Sequence, residues 1–513
     1  METYIIGIDI GTTGTKCSIF DLQGNTISKS YREYKSTYPL PMWAEQNPDM
    51  LVRAMTGACN EAITKSGLPS SAIRCLGISC QRCCAVFLDK HGKALMMISW
   101  QDSRATEQAK QIAQAIDMDE YYHITGHPIS STWILPKLMW VRDNNPKLME
   151  ETDKVVQLQD YVLKQLGADD YYTPSTDAQY YGVWNIKEQK IEERYANLFG
   201  FNEFGTPKIR QPGYRVGYIS AATAEKTGLG KGIPLFVGAG DQSCAALGAG
   251  TINHGDICVS MGTGGMCMVC SDHYMEDPEY GFYNSRHIVS DKWQWEGMQK
   301  GSASIFKWFK NELAALETEQ SRNNNTDVYT QLNKMVVDTP IGSKGLLLLP
   351  FFAGSTPPHW NPEARGAFIG LTLAHDRGCL ARACMEGITM EQREMLEYVQ
   401  TMGIKANRVR VVGGPTKSEV WNQIQADIYG IPVESLAVTD ASVLGAAIIG
   451  AVGAGIFPDY PSAVESLVKV SKEYIPNPAA VEMYNQLFDV YKQAYRDLCQ
   501  GTFSKLSKIQ SMF

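Results

Sequence analysis

Residues 4–15 read YIIGIDIGTTGT and give the strongest indication of the fold. The first seven of them are mostly apolar, and they predict a buried strand that carries Asp9 near its carboxyl end. Gly11 then permits a tight turn in which backbone amides and the hydroxyls of Thr12 and Thr13 face anionic oxygens. A carboxylate and a glycine–threonine turn at one strand end predict a phosphate site, with Asp9 beside a hydrated Mg²⁺.

A simple hairpin with a polar turn is the alternative, because residues 16–21 (KCSIFD) have the pattern of a returning strand. The phosphate interpretation gains support about 250 residues later, where a second apolar strand at 256–260 runs into Gly262 and Thr263 of the stretch MGTGG. Two such turns suggest two related halves that face one nucleotide.

A third glycine turn, Gly413-Gly414, follows the strand pattern RVRVV at 408–412. Residues 416–429 behind it predict a helix, and a helix N-terminus beside a glycine turn is suited to a nucleotide. The chain contains no GxxxxGK[ST] motif and no GxGxxG that opens a βαβ unit, which disfavours the ordinary P-loop and dinucleotide folds.

The composition agrees with a large globular enzyme. The chain has 513 residues and a formal net charge of −8, which argues against a nucleic-acid or anionic-membrane surface. The N-terminus lacks a secretory signal, and the longest weakly polar run, 443–457, is too short to span a bilayer. We therefore expect a cytoplasmic protein with no membrane and no nucleic acid as partner.

Thirteen cysteines in a chain without a signal peptide indicate reduced thiols. The spacings Cys80-x-x-Cys83-Cys84 and Cys267-x-x-Cys270 fall in strand-like segments, where residues three apart point to opposite faces. Neither group predicts a metal site or a disulfide, and the role of the first cluster stays open.

The pattern of elements predicts an α/β protein of two lobes, residues 1–253 and 254–513. Residues 483–499 space their apolar side chains like an amphipathic helix, whereas residues 318–327 predict a surface loop and residues 501–513 a loosely held tail.

Asp241 is the strongest candidate for a catalytic base. It follows the apolar strand 234–237 and the flexible segment Gly238-Ala239-Gly240, so a carboxylate lies at a strand end with room beside it. A structural Asp that caps a helix beginning near Gln242 is the alternative, and the residues alone do not separate the two.

The motifs together resemble the FGGY family of carbohydrate kinases, in the actin, Hsp70 and hexokinase superfamily, over about residues 4–457. The stretches that carry the resemblance are GIDIGTTGTK at 7–16, PMWAEQNPD at 41–49, SWQDSR at 99–104, KLMWVRDN at 137–144, GAGDQ at 238–242, SMGTGG at 260–265, GSTPPHWNPEARGAFIGLT at 354–372 and VVGGPTKSEVW at 411–421. The resemblance implies two ribonuclease H-like (actin-like ATPase) domains that flank a nucleotide cleft, and an ATP- and Mg²⁺-dependent kinase.

The resemblance also implies roles for individual residues. Asp241 removes the proton from the attacking sugar hydroxyl, and Asp9 and Asp241 lie near the metal. The implied sugar-binding residues are Gln81, Arg82, Trp100, Asp102, Asp241 and Gln242. The implied ATP-binding residues are Gly11, Thr12, Thr13, Lys16, Gly262, Thr263, Gly413, Gly414 and Ser418.

The sugar pocket matches no single subfamily. Arg82 resembles the glycerol kinases, although Cys83 stands where those enzymes have Glu, whereas Gln81, Asp102 and Arg104 resemble the xylulose kinases. We expect phosphorylation of a primary hydroxyl of a small sugar or polyol, with a ketopentose such as xylulose first. Glycerol, a tetritol, an autoinducer-2-type diol, and an ATP-driven actin- or Hsp70-like switch remain open, as does a homodimer.

Overall fold

The computed structural model describes residues 2–205 and 207–512. Its strands in the first half of the chain are β1 (Tyr4–Ile10), β2 (Gly14–Phe20), β3 (Thr26–Glu33), β4 (Ile73–Cys80), β5 (Ala85–Leu88), β6 (Ala94–Ile98), β7 (Lys154–Gln157), β8 (Tyr172–Pro174), β9 (Trp184–Asn185), β10 (Lys190–Ile191), β11 (Lys208–Arg210), β12 (Arg215–Tyr218), β13 (Pro234–Phe236) and β14 (Ala239–Gly240). Those of the second half are β15 (Ile257–Met261), β16 (Gly265–Ser271), β17 (Tyr283–Arg286), β18 (Trp293–Gln299), β19 (Leu347–Leu349), β20 (Ala367–Ile369), β21 (Val409–Gly413), β22 (Val433–Leu436) and β23 (Val470–Tyr474).

The helices connect and cover these strands. They are α1 (Pro48–Ser66), α2 (Thr106–Ala115), α3 (Met118–Thr125), α4 (Ile134–Asn144), α5 (Pro146–Glu151), α6 (Leu158–Leu166), α7 (Glu193–Leu198), α8 (Ala221–Thr227), α9 (Asp241–Gly248), α10 (Ala303–Leu313), α11 (Ala315–Asn323), α12 (Val328–Asp338), α13 (Arg377–Thr401), α14 (Glu419–Tyr429), α15 (Ala441–Gly453), α16 (Tyr460–Leu467), α17 (Pro478–Cys499) and α18 (Thr502–Gln510).

Two seven-stranded mixed sheets organise the chain, and each defines one lobe. The first lobe is built on the order β12-β13-β4-β1-β2-β3, with β14 beside β4, and the second on β17-β18-β16-β15-β21-β22-β23. In the first sheet β1 pairs antiparallel with β2 and parallel with β4, and in the second β15 pairs antiparallel with β16 and parallel with β21. The two lobes therefore repeat one arrangement, as the two glycine turns suggest.

Helix α15 packs on the first sheet although it follows strands of the second. A Cβ on Gly7 would lie 1.9 Å from the carbonyl oxygen of Val443, and one on Gly77 would lie 1.7 Å from that of Ala446. Side chains at these two strand positions would push the helix away, so both glycines are needed for backbone-to-backbone contact. The buried helix predicted for the apolar run 443–457 is thus present as α15, which ends at Gly453 and leaves residues 454–457 outside it.

Two local expectations are wrong. The predicted surface loop at 318–327 is helical in its first half, because α11 extends to Asn323 and buries Ser321. The predicted tail is also structured, since α18 buries Phe503 and Arg365 Nη2 donates to Ser507 Oγ at 2.8 Å. None of the described helices combines the length and apolar character that a membrane span requires.

Candidate active site

Asp241 is the first residue of α9 and follows the short strand β14 directly. Its Oδ1 accepts a hydrogen bond from the amide of Gln242 at 2.9 Å, and 31% of its side chain is exposed. The carboxylate therefore does not cap the helix from an N-cap position, which Gly240 occupies instead, and it keeps an open side toward solvent and ligand.

The surroundings of Asp241 raise the pKa of its carboxyl group. Burial raises the pKa of Asp241 to about 6, Arg82 and the Gln242 amide oppose this rise, and the negative charges of Asp9 and Glu296 add to it. A carboxylate that titrates near pH 6 is ionised at neutral pH and is more basic than an ordinary Asp, as proton abstraction requires.

Arg82 is the centre of the polar cluster beside Asp241. Its Nη1 and Nη2 donate to the two carboxylate oxygens of Glu296 at 2.8 and 2.6 Å, and Nη1 also donates to the Tyr180 hydroxyl. Its Nε lies 3.5 Å from Asp241 Oδ1. The guanidinium thus joins strand β18 of the second lobe to the Asp241 carboxylate of the first.

Asp177 is a further buried carboxylate in this cluster. It is only 3% exposed, and its Oδ1 has no hydrogen-bond partner among the residues that the structure describes. A Cβ on Gly240 would lie 2.3 Å from Arg82 Cδ and 2.8 Å from Asp177 Oδ1, which places both side chains against this glycine. Burial raises the pKa of Asp177 to about 8, although Arg82 opposes the shift.

Lys137 fixes the two segments that carry the predicted sugar-binding residues. Its fully buried ammonium group donates to the carbonyl oxygens of Cys83 at 2.7 Å and Ser99 at 2.9 Å. Cys83 adopts a left-handed backbone conformation with φ of 60°, which is unusual for a residue with a side chain. This bent backbone directly follows Arg82, and the lysine stabilises it.

Trp100 and Gln81 both connect to the first glycine turn. Trp100 is 38% exposed, and its indole Nε1 donates to Thr12 Oγ1 at 2.8 Å. Gln81 is buried and donates to Gln46 Oε1 at 2.8 Å, and Gln46 in turn donates to the Thr12 carbonyl oxygen at 2.8 Å. Trp100 is therefore open to a ligand, whereas Gln81 lies behind the turn.

Asp102 has a supporting position that differs from the predicted sugar contact. Its side chain is buried and accepts hydrogen bonds from the Ala44 amide and from Arg104. Arg104 itself lies between the rings of Trp43 and Trp140. Because both carboxylate oxygens are occupied, Asp102 stabilises the segment that carries Trp100 and offers no free oxygen to a sugar.

The first glycine turn closes the β1–β2 hairpin. The Gly11 amide donates to the Gly14 carbonyl oxygen at 3.1 Å, and Thr13 is exposed. Lys16 forms an ion pair with Asp440, directly before α15, so its ammonium group lies at the edge of this turn. The hairpin and phosphate interpretations are compatible, because the turn is both a hairpin end and an open polar surface.

The second glycine turn closes the β15–β16 hairpin in the same way. The Gly262 amide donates to the Gly264 carbonyl oxygen at 2.8 Å, and Gly262 and Thr263 are exposed. The Thr263 carbonyl oxygen accepts from the Ser302 amide at 3.1 Å, which fixes the turn against the start of α10.

The third glycine turn departs in part from its prediction. Gly414 is exposed, but residues 414–417 form a 3-10 turn and α14 begins only at Glu419. The Ser418 hydroxyl caps that helix by accepting from the Trp421 amide at 3.3 Å, and it donates to Asn333 Oδ1 at 2.9 Å. Ser418 therefore serves the helix start, and Gly413 and Gly414 are the open positions.

A Mg²⁺ ion fits the chemistry of Asp9 but has no complete protein cage. Asp9 Oδ1 accepts from Ser79 Oγ at 2.7 Å and Oδ2 from Ser442 Oγ at 3.0 Å. Within residues 2–205 and 207–512, no group of three or more His, Cys, Asp or Glu side chains is arranged to hold a metal. Mg²⁺ usually keeps several waters and binds one or two carboxylates plus substrate phosphates, which this arrangement permits.

Three residues of the site belong to no motif that assigns them a role. Glu296 lies in the strand pattern WQWEGMQ, Asp177 in a polar loop, and Lys137 in a helix whose KLMWVRDN stretch gives the lysine no role. A charged residue within an apolar helical stretch is the one local hint, and it applies to Lys137 alone.

Comparisons with known proteins agree with this arrangement. Residues 4–248 match the model of the FGGY family of carbohydrate kinases, N-terminal domain, and residues 257–454 match that of the C-terminal domain. The chain is 27% identical to a xylulose kinase of Staphylococcus epidermidis and 28% identical to a gluconokinase of Bacillus subtilis, in each case over 99% of both chains. The solved structure of a xylulose kinase from Rhodospirillum rubrum superposes with a TM-score of 0.86 at 26% identity, over 98% of this chain and 100% of that one.

Proposed function

Because the chain belongs to the FGGY family of carbohydrate kinases, we propose that it transfers the γ-phosphoryl group of ATP to a primary hydroxyl of a neutral open-chain sugar. A ketopentose such as xylulose is the first candidate, since xylulose kinases are among its relatives along nearly the whole chain. Gluconokinases are similar to about the same degree, so sequence similarity does not choose between a neutral sugar and an aldonate.

The negative charge of the polar cluster is the reason why we propose a neutral sugar rather than an aldonate. Asp241, Glu296 and Asp177 surround the single guanidinium group of Arg82. Even with Asp177 protonated, two carboxylates face one positive charge that Glu296 already binds through two hydrogen bonds. The carboxylate of an aldonate would meet repulsion here, whereas sugar hydroxyls can donate to the same oxygens.

In the proposed reaction Asp241 is the general base. It takes the proton of the attacking hydroxyl as that oxygen bonds to the γ-phosphorus, and the bond from phosphorus to the β-phosphate oxygen breaks to release ADP. Arg82 and Gln242 orient the sugar beside the carboxylate, and the ring of Trp100 covers its carbon face. Gln81 and Asp102 support these residues from behind.

We propose that the glycine turns hold the nucleotide. The amides and hydroxyls of Thr12, Thr13 and Thr263 face the phosphates beside Gly11 and Gly262, with Lys16 at the edge of the first turn, and Gly413 and Gly414 border the nucleoside end. Bound through water to Asp9, Mg²⁺ would neutralise charge on the phosphates. Asp241 then serves the sugar, while Asp9 serves the metal.

A substrate panel tests the proposal directly. ADP release in the presence of Mg·ATP is followed with xylulose, ribulose, glycerol, erythritol and gluconate, each compared with ATP alone. We expect the highest kcat/KM with a ketopentose and little stimulation by gluconate.

Two results would contradict this function. Gluconate as the best substrate would reverse the charge argument and favour the gluconokinase-like alternative. ADP release that no sugar or polyol stimulates would favour a nucleotide-driven switch instead.

A further inference from the structure

Glu296 is the only described residue that binds the Arg82 guanidinium through both of its terminal nitrogens. The Glu296 side chain is fully buried, and Gln294 Nε2 donates to its Oε1 at 2.8 Å. Ser285 Oγ, on the neighbouring strand β17, donates weakly to the same oxygen at 3.4 Å. Side chains of the second sheet thus hold the Glu296 carboxylate in addition to its contact with Arg82.

The contact joins the two lobes at the sugar pocket. Arg82 follows β4 of the first sheet, whereas Glu296 lies in β18 of the second sheet, 214 residues later. Only 12% of the Arg82 side chain is exposed, and none of the Glu296 side chain is. Glu296 can therefore influence a sugar only through the arginine.

We propose that Glu296 is a positioning residue for the kinase reaction, which holds Arg82 toward the sugar and away from the carboxylate of Asp241. This inference rests on the proposed function and deepens it, because it assigns part of sugar recognition to the second lobe. Sugar binding and the approach of the lobes are then coupled through one ion pair.

Loss of the Glu296 charge should redirect Arg82. The nearest other carboxylate is that of Asp241, whose Oδ1 is 3.5 Å from Arg82 Nε. When the Arg82 guanidinium pairs with the Asp241 carboxylate, that carboxylate becomes a weaker base. Arg82 then no longer donates hydrogen bonds to the sugar hydroxyls. The charged and titratable groups that face this pair are Asp9 on β1, Cys80 on β4, Cys83 and Cys84 before β5, Asp177 and Tyr180 before β9, Cys244 on α9, and Tyr283 on β17.

Glu296→Gln tests the proposal, because it keeps the shape and removes the charge. We expect the KM for the sugar to rise about tenfold, as for a lost hydrogen bond to a charged group, and the KM for ATP to stay within about twofold. We also expect the acid limb of kcat/KM to move to lower pH, since a freed Arg82 and one fewer negative neighbour both lower the pKa of Asp241. Glu296→Asp, which keeps the charge, should restore part of the sugar affinity.

Glu434→Gln is the matched control, because the buried Glu434 forms an ion pair with Arg410 in the same sheet, on strands β22 and β21 rather than on β18. Its sugar KM and pH profile should match those of the wild type.

The proposal is overturned if Glu296→Gln leaves the sugar KM and the acid limb unchanged. It is equally overturned if the KM values for sugar and ATP rise together while the melting temperature falls, since that result indicates a structural role. A wild type that phosphorylates no neutral sugar would instead refute the proposed function itself.

Discussion

At the scale of single residues, the basicity of Asp241 results from opposing neighbours. Burial, Asp9 and Glu296 raise its pKa, whereas Arg82 and the Gln242 amide lower it, and the result is about 6. Such a base is deprotonated at neutral pH and still strong enough to take a proton from a hydroxyl in the transition state. Neighbouring charges therefore set the pH range of the proposed reaction.

This balance predicts the pH dependence and its change in Arg82→Ala. In the wild type kcat/KM should be constant above the pKa of Asp241 and fall about tenfold per pH unit below pH 6, because only the ionised carboxylate accepts a proton. Without Arg82 the negative form loses its positive neighbour, so the acid limb should move to higher pH and the sugar KM should rise more than that of ATP. Arg215→Ala, an exposed arginine on β12, is the control. If the acid limb of kcat/KM lies at the same pH in Arg82→Ala and in the wild type, the Arg82 charge does not set the pKa of Asp241 and the account is contradicted.

The sequence indicates part of the site at this scale. Asp241, Arg82 and Trp100 are recognisable because family motifs contain them, and the structure leaves each of them a surface that a ligand can reach. Glu296 and Asp177 have no such motif, since their importance comes from contacts with residues far away in the chain. The resemblance implies a sugar contact for Asp102 and an ATP contact for Ser418. In the structure Arg104 donates to the Asp102 carboxylate, and the Trp421 amide donates to the Ser418 hydroxyl.

At the scale of elements, the close contact between α15 and the first sheet depends on glycine. Gly7 lies on β1 and Gly77 on β4, and a Cβ at either position would overlap a carbonyl oxygen of the helix. On the other side of α15, a Cβ on Gly445 would lie 1.9 Å from the carbonyl oxygen of Cys244 in α9. The start of α9 carries Asp241, so this packing also locates the Asp241 carboxylate.

Gly77→Ala should therefore destabilise the protein. The added methyl group would meet the Ala446 carbonyl oxygen at 1.7 Å, and the helix must move to admit it. We expect a loss of about 3 kcal/mol or more in urea unfolding followed by circular dichroism. Gly230→Ala is the matched control, because its methyl group would meet only ordinary contacts, the nearest at 3.8 Å. Equal unfolding midpoints for the two variants would show that α15 does not need the glycine contact.

Elements with a clear hydrophobic period are predictable from the sequence, and those that depend on distant contacts are not. Helix α1 spans the predicted residues 48–66, and the amphipathic stretch 483–499 lies within α17. The terminal position of residues 501–513 predicts a loosely held tail, yet Phe503 anchors α18 in the second lobe. The polar composition of residues 318–327 predicts a surface loop, yet α11 continues to Asn323.

At the scale of the whole molecule, the two repeated sheets meet through the ion pair of Arg82 and Glu296, and we propose that their turns and side chains line one cleft. The first lobe contributes Asp9, Arg82 and Asp241, and the second contributes Glu296 and the turn at Gly262. The sequence indicates this two-lobed architecture through its paired glycine turns. A linear division at residue 253 stays a prediction, and it does not represent α15, which follows the second sheet in the chain and packs on the first.

The central claim is that Asp241 is the base of a sugar-dependent phosphoryl transfer in this cleft. Asp241→Asn preserves the shape of the side chain and removes its basicity. We measure kcat for sugar-dependent ADP release together with the affinity for Mg·ATP, and Asp256→Asn, in a turn before β15, is the control. The account predicts near-native ATP binding and a kcat lowered by about 10²–10⁴-fold in Asp241→Asn alone. A variant that keeps more than about a tenth of the wild-type kcat would contradict it, because that loss is too small for a general base.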